Sequence, residues 1–209
     1  MKKYQSIINH YEACYEEHGD SHLGLDWPNK KDTITRFSVM LDVILDKTNK
    51  TSLLDFGCGT GDSSIVFNIF LPKAKVFLHD FSEVAVKKGL KKYERFLNVR
   101  RADIETQKFD LVYTSNVIEH VLDPKVFVED LIRLTKRYIL IQCPYKEYHP
   151  DGKKITPQNP ISEHFWTIDE EFIEKHIYVH QDFDWRHTTG VVPMAWQGGE
   201  QVFIFGKLK

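Results

Sequence analysis

Two hydrophobic periods take turns along this chain. Between 33 and 46, Ile34, Phe37, Met40, Leu41 and Ile44 recur at helical spacing, with Asp32 placed to cap the start and the polar run Lys47 to Lys50 to end it. Ser52 to Phe56 is a short apolar run that stops at a glycine-rich turn, and 62 to 70 returns to helical spacing. Lys75 to Leu78 reads as the next strand. Ser82 can cap the helix after it, in which Val86, Leu90 and Tyr93 share a face. Further strand signals lie at Asn98 to Arg101, Phe109 to Thr114 and Tyr138 to Gln142. Between the last two, Asp123-Pro124 opens a helix striped by Phe127, Leu131 and Leu134. Strand and helix alternating in this way predict an α/β fold, a parallel sheet covered on both faces.

After Gln142 the pattern changes. Residues 143 to 163 hold four of the eight prolines, Pro144, Pro150, Pro157 and Pro160, and show no periodicity. A loop of this length is often functional or disordered. Thr167 is then expected to open a helix running to about Lys175, with Glu170 as its capping-box partner. Tyr178 to Trp185 and Gln201 to Phe205 read as two closing strands. Nothing repeats internally, so residues 1 to 209 are read as one domain: a helical N-terminal cap over 1–47, a core over 48–142, and a lid loop with a terminal hairpin over 143–209.

Composition narrows the partners. The chain has 209 residues and a formal net charge of −2, which gives no electrostatic footprint for nucleic acid or an anionic membrane. Cys14, Cys58 and Cys143 are few, odd in number and widely spaced, a usage that fits a reducing compartment. The N-terminus is polar and the apolar runs are too short to span a bilayer. A cytoplasmic protein without membrane insertion is the expectation. Lys87, Lys88, Lys91 and Lys92 read as the solvated face of an amphipathic helix.

The chemistry is carried by Leu53-Leu54-Asp55-Phe56-Gly57-Cys58-Gly59-Thr60-Gly61-Asp62, which sits between a strand and a helix. Glycines there let the backbone turn sharply and approach a ligand closely. Free N–H groups at the helix start can face an anionic group. Asp55 lies at the strand end, the spacing is GxGxG, and the next strand ends in a second acid, Asp80, where a ribose-binding carboxylate is expected.

This segment resembles the first motif of class I S-adenosylmethionine (SAM)-dependent methyltransferases, and three more segments match that family in order. Val76-Phe77-Leu78-His79-Asp80-Phe81-Ser82 resembles the second motif, Arg101-Ala102-Asp103-Ile104 the third, and Phe109 through Val121 the fourth-strand motif with its "EHV". The resemblance is close over 50 to 145. It implies a Rossmann-like sandwich with a mainly parallel seven-stranded sheet, an antiparallel last strand and helices on both faces. It implies SAM as cofactor, held by Asp55, Gly57, Cys58, Gly59, Gly61, Asp80, Phe81, Asp103, Ile104, Ser115 and Asn116. Asp55 and the glycine turn suit the methionine end, Asp80 the ribose hydroxyls, Phe81 a face of adenine and Asp103 its amino group.

Methyl transfer is an in-line displacement, so the protein supplies alignment and removal of a proton from the acceptor. His120 and His164 are the candidate catalytic residues. His120 follows the fourth strand and has the intrinsic pKa of a neutral-pH base, with packing as its other reading. His164 precedes Phe165-Trp166, where it can reach the pocket or serve packing. No histidine spacing gives a metal pattern, and none is expected. Tyr11, Tyr15 and Trp27 either stack on ligand or anchor the N-terminal segment, and Tyr145, Tyr148, Trp166, Trp185 and Trp196 suggest an apolar or ring-shaped acceptor or plain packing. The expected acceptor is a small molecule, with oxygen preferred. An NAD-dependent oxidoreductase shares the strand, glycine turn and distal acid but not the GxGxG spacing or the "EHV". A non-catalytic SAM-binding protein satisfies the same motifs.

Overall fold

A computed structural model describes residues 2–19, 52–64, 67, 71–99, 101–104, 106–191 and 200–209. Seven strands form one sheet in the order β3-β2-β1-β4-β5-β7-β6. They are β1 (Ser52–Phe56), β2 (Lys75–His79), β3 (Phe96–Asn98), β4 (Phe109–Ser115), β5 (Thr135–Pro144), β6 (Phe183–Val191) and β7 (Glu200–Leu208). β7 runs antiparallel to both β5 and β6, and the other pairings are parallel. The helices described from end to end are α1 (Lys2–His18), α2 (Glu83–Lys92), α3 (Arg101–Ile104), α4 (Pro124–Leu134) and α5 (Glu170–His176). The chain winds from β1 to β3 in one direction and from β4 to β5 in the other. The crevice between β1 and β4, at the carboxyl ends of the strands, is therefore the switch point where such sheets bind ligands.

The central strands β1, β4 and β5 carry apolar residues on successive positions because both faces of the sheet are covered there. Leu53, Leu111, Tyr113 and Leu140 pack with Val76, Leu78, Phe67 and Val86 on one face. Leu54, Val112, Ile139 and Ile141 pack with Phe127, Leu131, Phe172 and Ile173 on the other. Burying one such side chain contributes roughly 1.5–3 kcal/mol, so strands of five residues are held by their layers more than by length. Two expected caps are present: the Ser82 hydroxyl accepts from the Ala85 N–H at 3.2 Å, and Asp123 accepts from the Val126 N–H at 3.2 Å, with Pro124 in the first turn of α4.

Four boundaries differ from the sequence reading. β3 lies at Phe96–Asn98, anchored by buried Phe96 opposite Val76, and Arg101–Ile104 is a helical turn, not a strand end. β5 extends on both sides of Tyr138 to Gln142. Asp169, not Thr167, caps α5 by accepting from the Phe172 N–H at 2.9 Å. Tyr178 sits in a turn that follows α5, and β6 begins only at Phe183, because Ile177 and Tyr178 both donate to the Ile173 carbonyl and keep the chain coiled. The expected helix at 33–46 lies outside the described residues. No helix is long and apolar enough to cross a membrane among the described residues.

Candidate active site

The glycine turn closes over the end of β2. Gly57 and Gly59 both adopt left-handed backbone, at φ 78° and 52°, where a side chain is strained. At Gly57 a Cβ would also meet Val117 Cγ2 at 2.4 Å, so the segment after β4 presses directly on this turn. The N–H groups of Gly57 and Cys58 donate to the His79 carbonyl at 2.8 and 3.1 Å. The Gly59 N–H donates to Asp80 Oδ2 and the Ser82 N–H to Asp80 Oδ1, each at 2.8 Å. Asp80 therefore ties the two strand ends together while its carboxylate keeps accepting capacity on each oxygen. Burial raises its pKa against those backbone hydrogen bonds.

Asp55 lies under the turn with one carboxylate oxygen served and one not. Oδ2 accepts from the Ser63 and Ser64 hydroxyls, both at 2.6 Å, and buried Oδ1 finds no hydrogen-bond partner among the described residues. Burial pushes its pKa up to about 6, the two serines oppose this, and the carboxylates of Asp80 and Asp62 add to it. A buried carboxylate oxygen left over beside a glycine turn is a place for a cationic or N–H-donating ligand group. Cys58 packs as a buried thiol, pushed up by burial, and is no nucleophile.

Around this centre the other expected residues separate. Phe81 is 55% exposed beside Asp80, a large apolar ring facing outward where a flat ligand ring can lie. Asp103 is on α3, and Ile104 is buried in the core with Val99 and Phe56. Ser115 ends β4 and Asn116 follows it. The Ser115 hydroxyl donates to Gln142 Oε1 at 3.1 Å, and the Asn116 N–H donates to the Gln142 carbonyl at 2.9 Å. Asn116 holds a positive φ of 53°, and its buried Oδ1 also lacks a partner among the described residues. From above, α1 lays buried Tyr15 against the site, close enough that Asp80 and Cys58 add to the burial that raises its hydroxyl's pKa. Lys88 donates to the Tyr15 carbonyl and Lys92 pairs with Asp62 at 2.6 Å, so two of the four lysines of α2 serve the site and not the solvent.

His120 and His164 are brought together. The segment 163–166 zips onto the 3-10 turn Ile118–His120: the Phe165 N–H donates to the Glu119 carbonyl at 2.8 Å, and Trp166 Nε1 donates to the Val121 carbonyl at 2.8 Å. His120 Nδ1 lies 3.0 Å from the Glu163 carbonyl and His164 Nδ1 lies 2.5 Å from Glu147 Oε2. Both partners only accept, so both Nδ1 atoms carry the proton and donate. Burial and the neighbouring His164 lower the pKa of His120 to about 4. That of His164 is raised: burial opposes protonation, but the bond to Glu147 and the charges of Glu119, Glu147 and Glu163 outweigh it. Tyr11 of α1 stands edge-on to His120 with centroids 6.1 Å apart.

Sequence reasoning missed Glu119 and Glu147. Glu119 sat inside the quoted "EHV" and is buried at 1% exposure, a rare state for a carboxylate. Glu147 had no signal, since only the fold sets it against His164. The aromatics expected near an acceptor act mainly as anchors. Tyr145 donates to Glu170 at 2.5 Å, Trp166 packs on Phe172 and His176, and Trp185 Nε1 donates to the His180 carbonyl at 2.9 Å. Trp27 and Trp196 lie outside the described residues. The loop after β5 is stitched by the bridges Tyr148–Lys154, Thr156–Asn159 and Ile161–His164, with Ile155 buried beneath it.

The family model described as a methyltransferase domain matches residues 29–183. No curated protein matches the chain. Among solved structures, the chain is similar to magnesium protoporphyrin IX methyltransferase (ChlM) from Synechocystis PCC 6803 with bound SAH, at 17% identity and a TM-score of 0.66, over 98% of this chain and 95% of that one. It is similar to the plantazolicin methyltransferase BpumL in complex with a desmethylPZN analog and SAH, at 13% identity and a TM-score of 0.65, over 96% and 90%. A SAM-dependent methyltransferase from Aquifex aeolicus is similar at 17% identity and a TM-score of 0.62, over 88% and 95%. The strand order, the glycine turn at the switch point and the domain match converge: this chain belongs to the class I SAM-dependent methyltransferases.

Proposed function

We propose that the protein methylates an oxygen atom of a small-molecule acceptor. SAM supplies an electrophilic methyl on a sulfonium. The residues that hold it are Asp55 and the turn Gly57 to Gly61 at the methionine end, Asp80 at the ribose, Phe81 against the adenine, and Asp103, Ile104, Ser115 and Asn116 around it. The observation that carries this reading is the unserved Oδ1 of Asp55 beneath the glycine turn, which suits the ammonium group of that ligand. His120 and His164 flank the acceptor. An alcohol or phenol must lose its proton as the methyl arrives, and His120, with Nδ1–H fixed on the Glu163 carbonyl, presents an unprotonated Nε2 able to draw it. The structural neighbours include a magnesium protoporphyrin IX methyltransferase and a methyltransferase in complex with plantazolicin analogs, which supports a small-molecule acceptor class. The test is label transfer from methyl-tritiated SAM to a panel of phenols, sugars, carboxylic acids and amines. Labelling confined to oxygen acceptors is the expected result, and labelling confined to amines overturns the oxygen preference.

A further inference from the structure

We propose that Glu119, His120 and His164 bind a divalent first-row metal cation, of the zinc class, beside the methyl-transfer site. Among the described residues these three form a group whose ligand atoms all lie within 4.8 Å of one another. Two imidazoles and one carboxylate, with further positions open, are the donor set of catalytic zinc and related non-haem sites.

The orientation of the imidazoles is the second observation. A metal-binding histidine donates its other ring N–H to a carboxylate or a backbone carbonyl, which fixes the tautomer and turns the free nitrogen toward the cation. Both arrangements are present here. His164 Nδ1 is on the Glu147 carboxylate at 2.5 Å and His120 Nδ1 is on the Glu163 carbonyl at 3.0 Å. With the proton of the neutral ring held at Nδ1, each Nε2 is the nitrogen that offers a lone pair to a cation, and that of His120 lies 4.0 Å from Glu119 Oε1. Ligand atoms about 2.0–2.2 Å from one cation stand roughly 3–4 Å apart, so modest side-chain rotation closes the set. Charge agrees: Glu119 and Glu147 together bring two negative charges into a buried cluster, which a dication balances. The backbone is already pinned, because the Phe165 N–H donates to the Glu119 carbonyl.

The cation deepens the oxygen-acceptor reading and rests on it. Where bound, it, and not the free His120 nitrogen, holds the acceptor oxygen as its anion, with the proton released to water. Acceptors with two adjacent oxygen donors, such as a catechol or an α-hydroxy acid, would fill two open positions at once.

The test uses Co2+ as the probe on chelator-treated protein, followed by visible absorption and competed with Zn2+. One equivalent should bind with a ligand-field band that Zn2+ removes. Glu119→Gln and His164→Ala should each weaken Co2+ binding by about 100-fold or more, and Glu147→Gln by about 10–100-fold, while SAH affinity by calorimetry stays at the wild-type value. Absence of stoichiometric Co2+ binding by the wild type, or equal binding by Glu119→Gln and His164→Ala, overturns the site. Loss of SAH binding by the wild-type protein would instead strike the methyl-transfer reading, whatever Co2+ does.

Discussion

The rings of His120 and His164 meet edge to face, centroids 4.8 Å apart and 77° between planes. One follows β4 and the other ends the long loop after β5, so the contact exists only because the loop folds back on the turn after β4. If this pair serves the acceptor, His120→Ala and His164→Ala should each lower turnover by about 10²–10⁴-fold. SAH affinity should stay within about twofold, since neither side chain is placed on the cofactor. A loss of SAH affinity as large as the loss of turnover would move the pair to the cofactor side.

Asp55 should make cofactor binding depend on pH. Its pKa, about 6 in the folded chain, lies above the ordinary value of 3.8, mainly through burial. The folded state therefore binds the proton more tightly than the unfolded one. The stabilisation is fully present below 3.8 and is lost as pH rises through about 6, a cost on the order of 3 kcal/mol for holding the ion. A cation at Oδ1 reverses this preference. SAM binding should release a proton below pH 6 and weaken by up to about tenfold per pH unit as pH falls. Calorimetry in buffers of different ionisation enthalpy measures both, and Asp55→Asn should flatten the profile. A wild-type affinity constant between pH 5 and 7 would remove Asp55 from the site.

Gly59→Val should abolish SAM binding and leave the fold in place. At φ 52° a β-branched side chain is strained by about 1–3 kcal/mol. The added methyls also take up space on the turn that a ligand must approach closely. Circular dichroism should show native structure with a Tm a few degrees lower. Wild-type SAM affinity in this variant would make the turn a mere connection.

Thr167 tests the loop. Its hydroxyl accepts from the Ile155 N–H at 2.8 Å and donates to the Glu147 carbonyl at 2.6 Å, beneath the stretch read from sequence as a lid. Thr167→Val keeps the shape and strands a buried N–H, at a cost of about 1–3 kcal/mol. Hydrogen exchange should rise across 147–165 and Tm should fall. Unchanged exchange would show that this crosslink does not hold the loop.

The first half of the fold was legible because each signal was local. Ser82 and Asp123 cap their helices with their own side chains, and β1, β2 and β4 place apolar residues on both sheet faces because both are covered. The methyltransferase family was legible for the same reason, since its motifs are short and sit at strand ends. What failed was decided by tertiary contact. Three-residue β3 is too short to show alternation, and its position is fixed by Phe96 packing opposite Val76. Thr167 has the composition of a cap, but the loop at Ile155 claims its hydroxyl and leaves Asp169 to cap α5. Glu147 and Glu119 are far apart in sequence, and only the zipping of 163–166 onto the turn after β4 gathers them with the two histidines.

The most direct measurement is calorimetric titration of SAH into the wild-type protein and into Asp80→Ala. Asp80 sits at the end of β2 with both oxygens facing the glycine turn and the start of α2. The wild type should bind one equivalent, and the variant should bind about 1–3 kcal/mol more weakly, the scale of lost charge-assisted hydrogen bonds. Thermal unfolding of the variant separates this from a general loss of structure. No binding by the wild type at millimolar SAH, or equal affinity in a folded Asp80→Ala, would contradict the placement of the cofactor at this switch point.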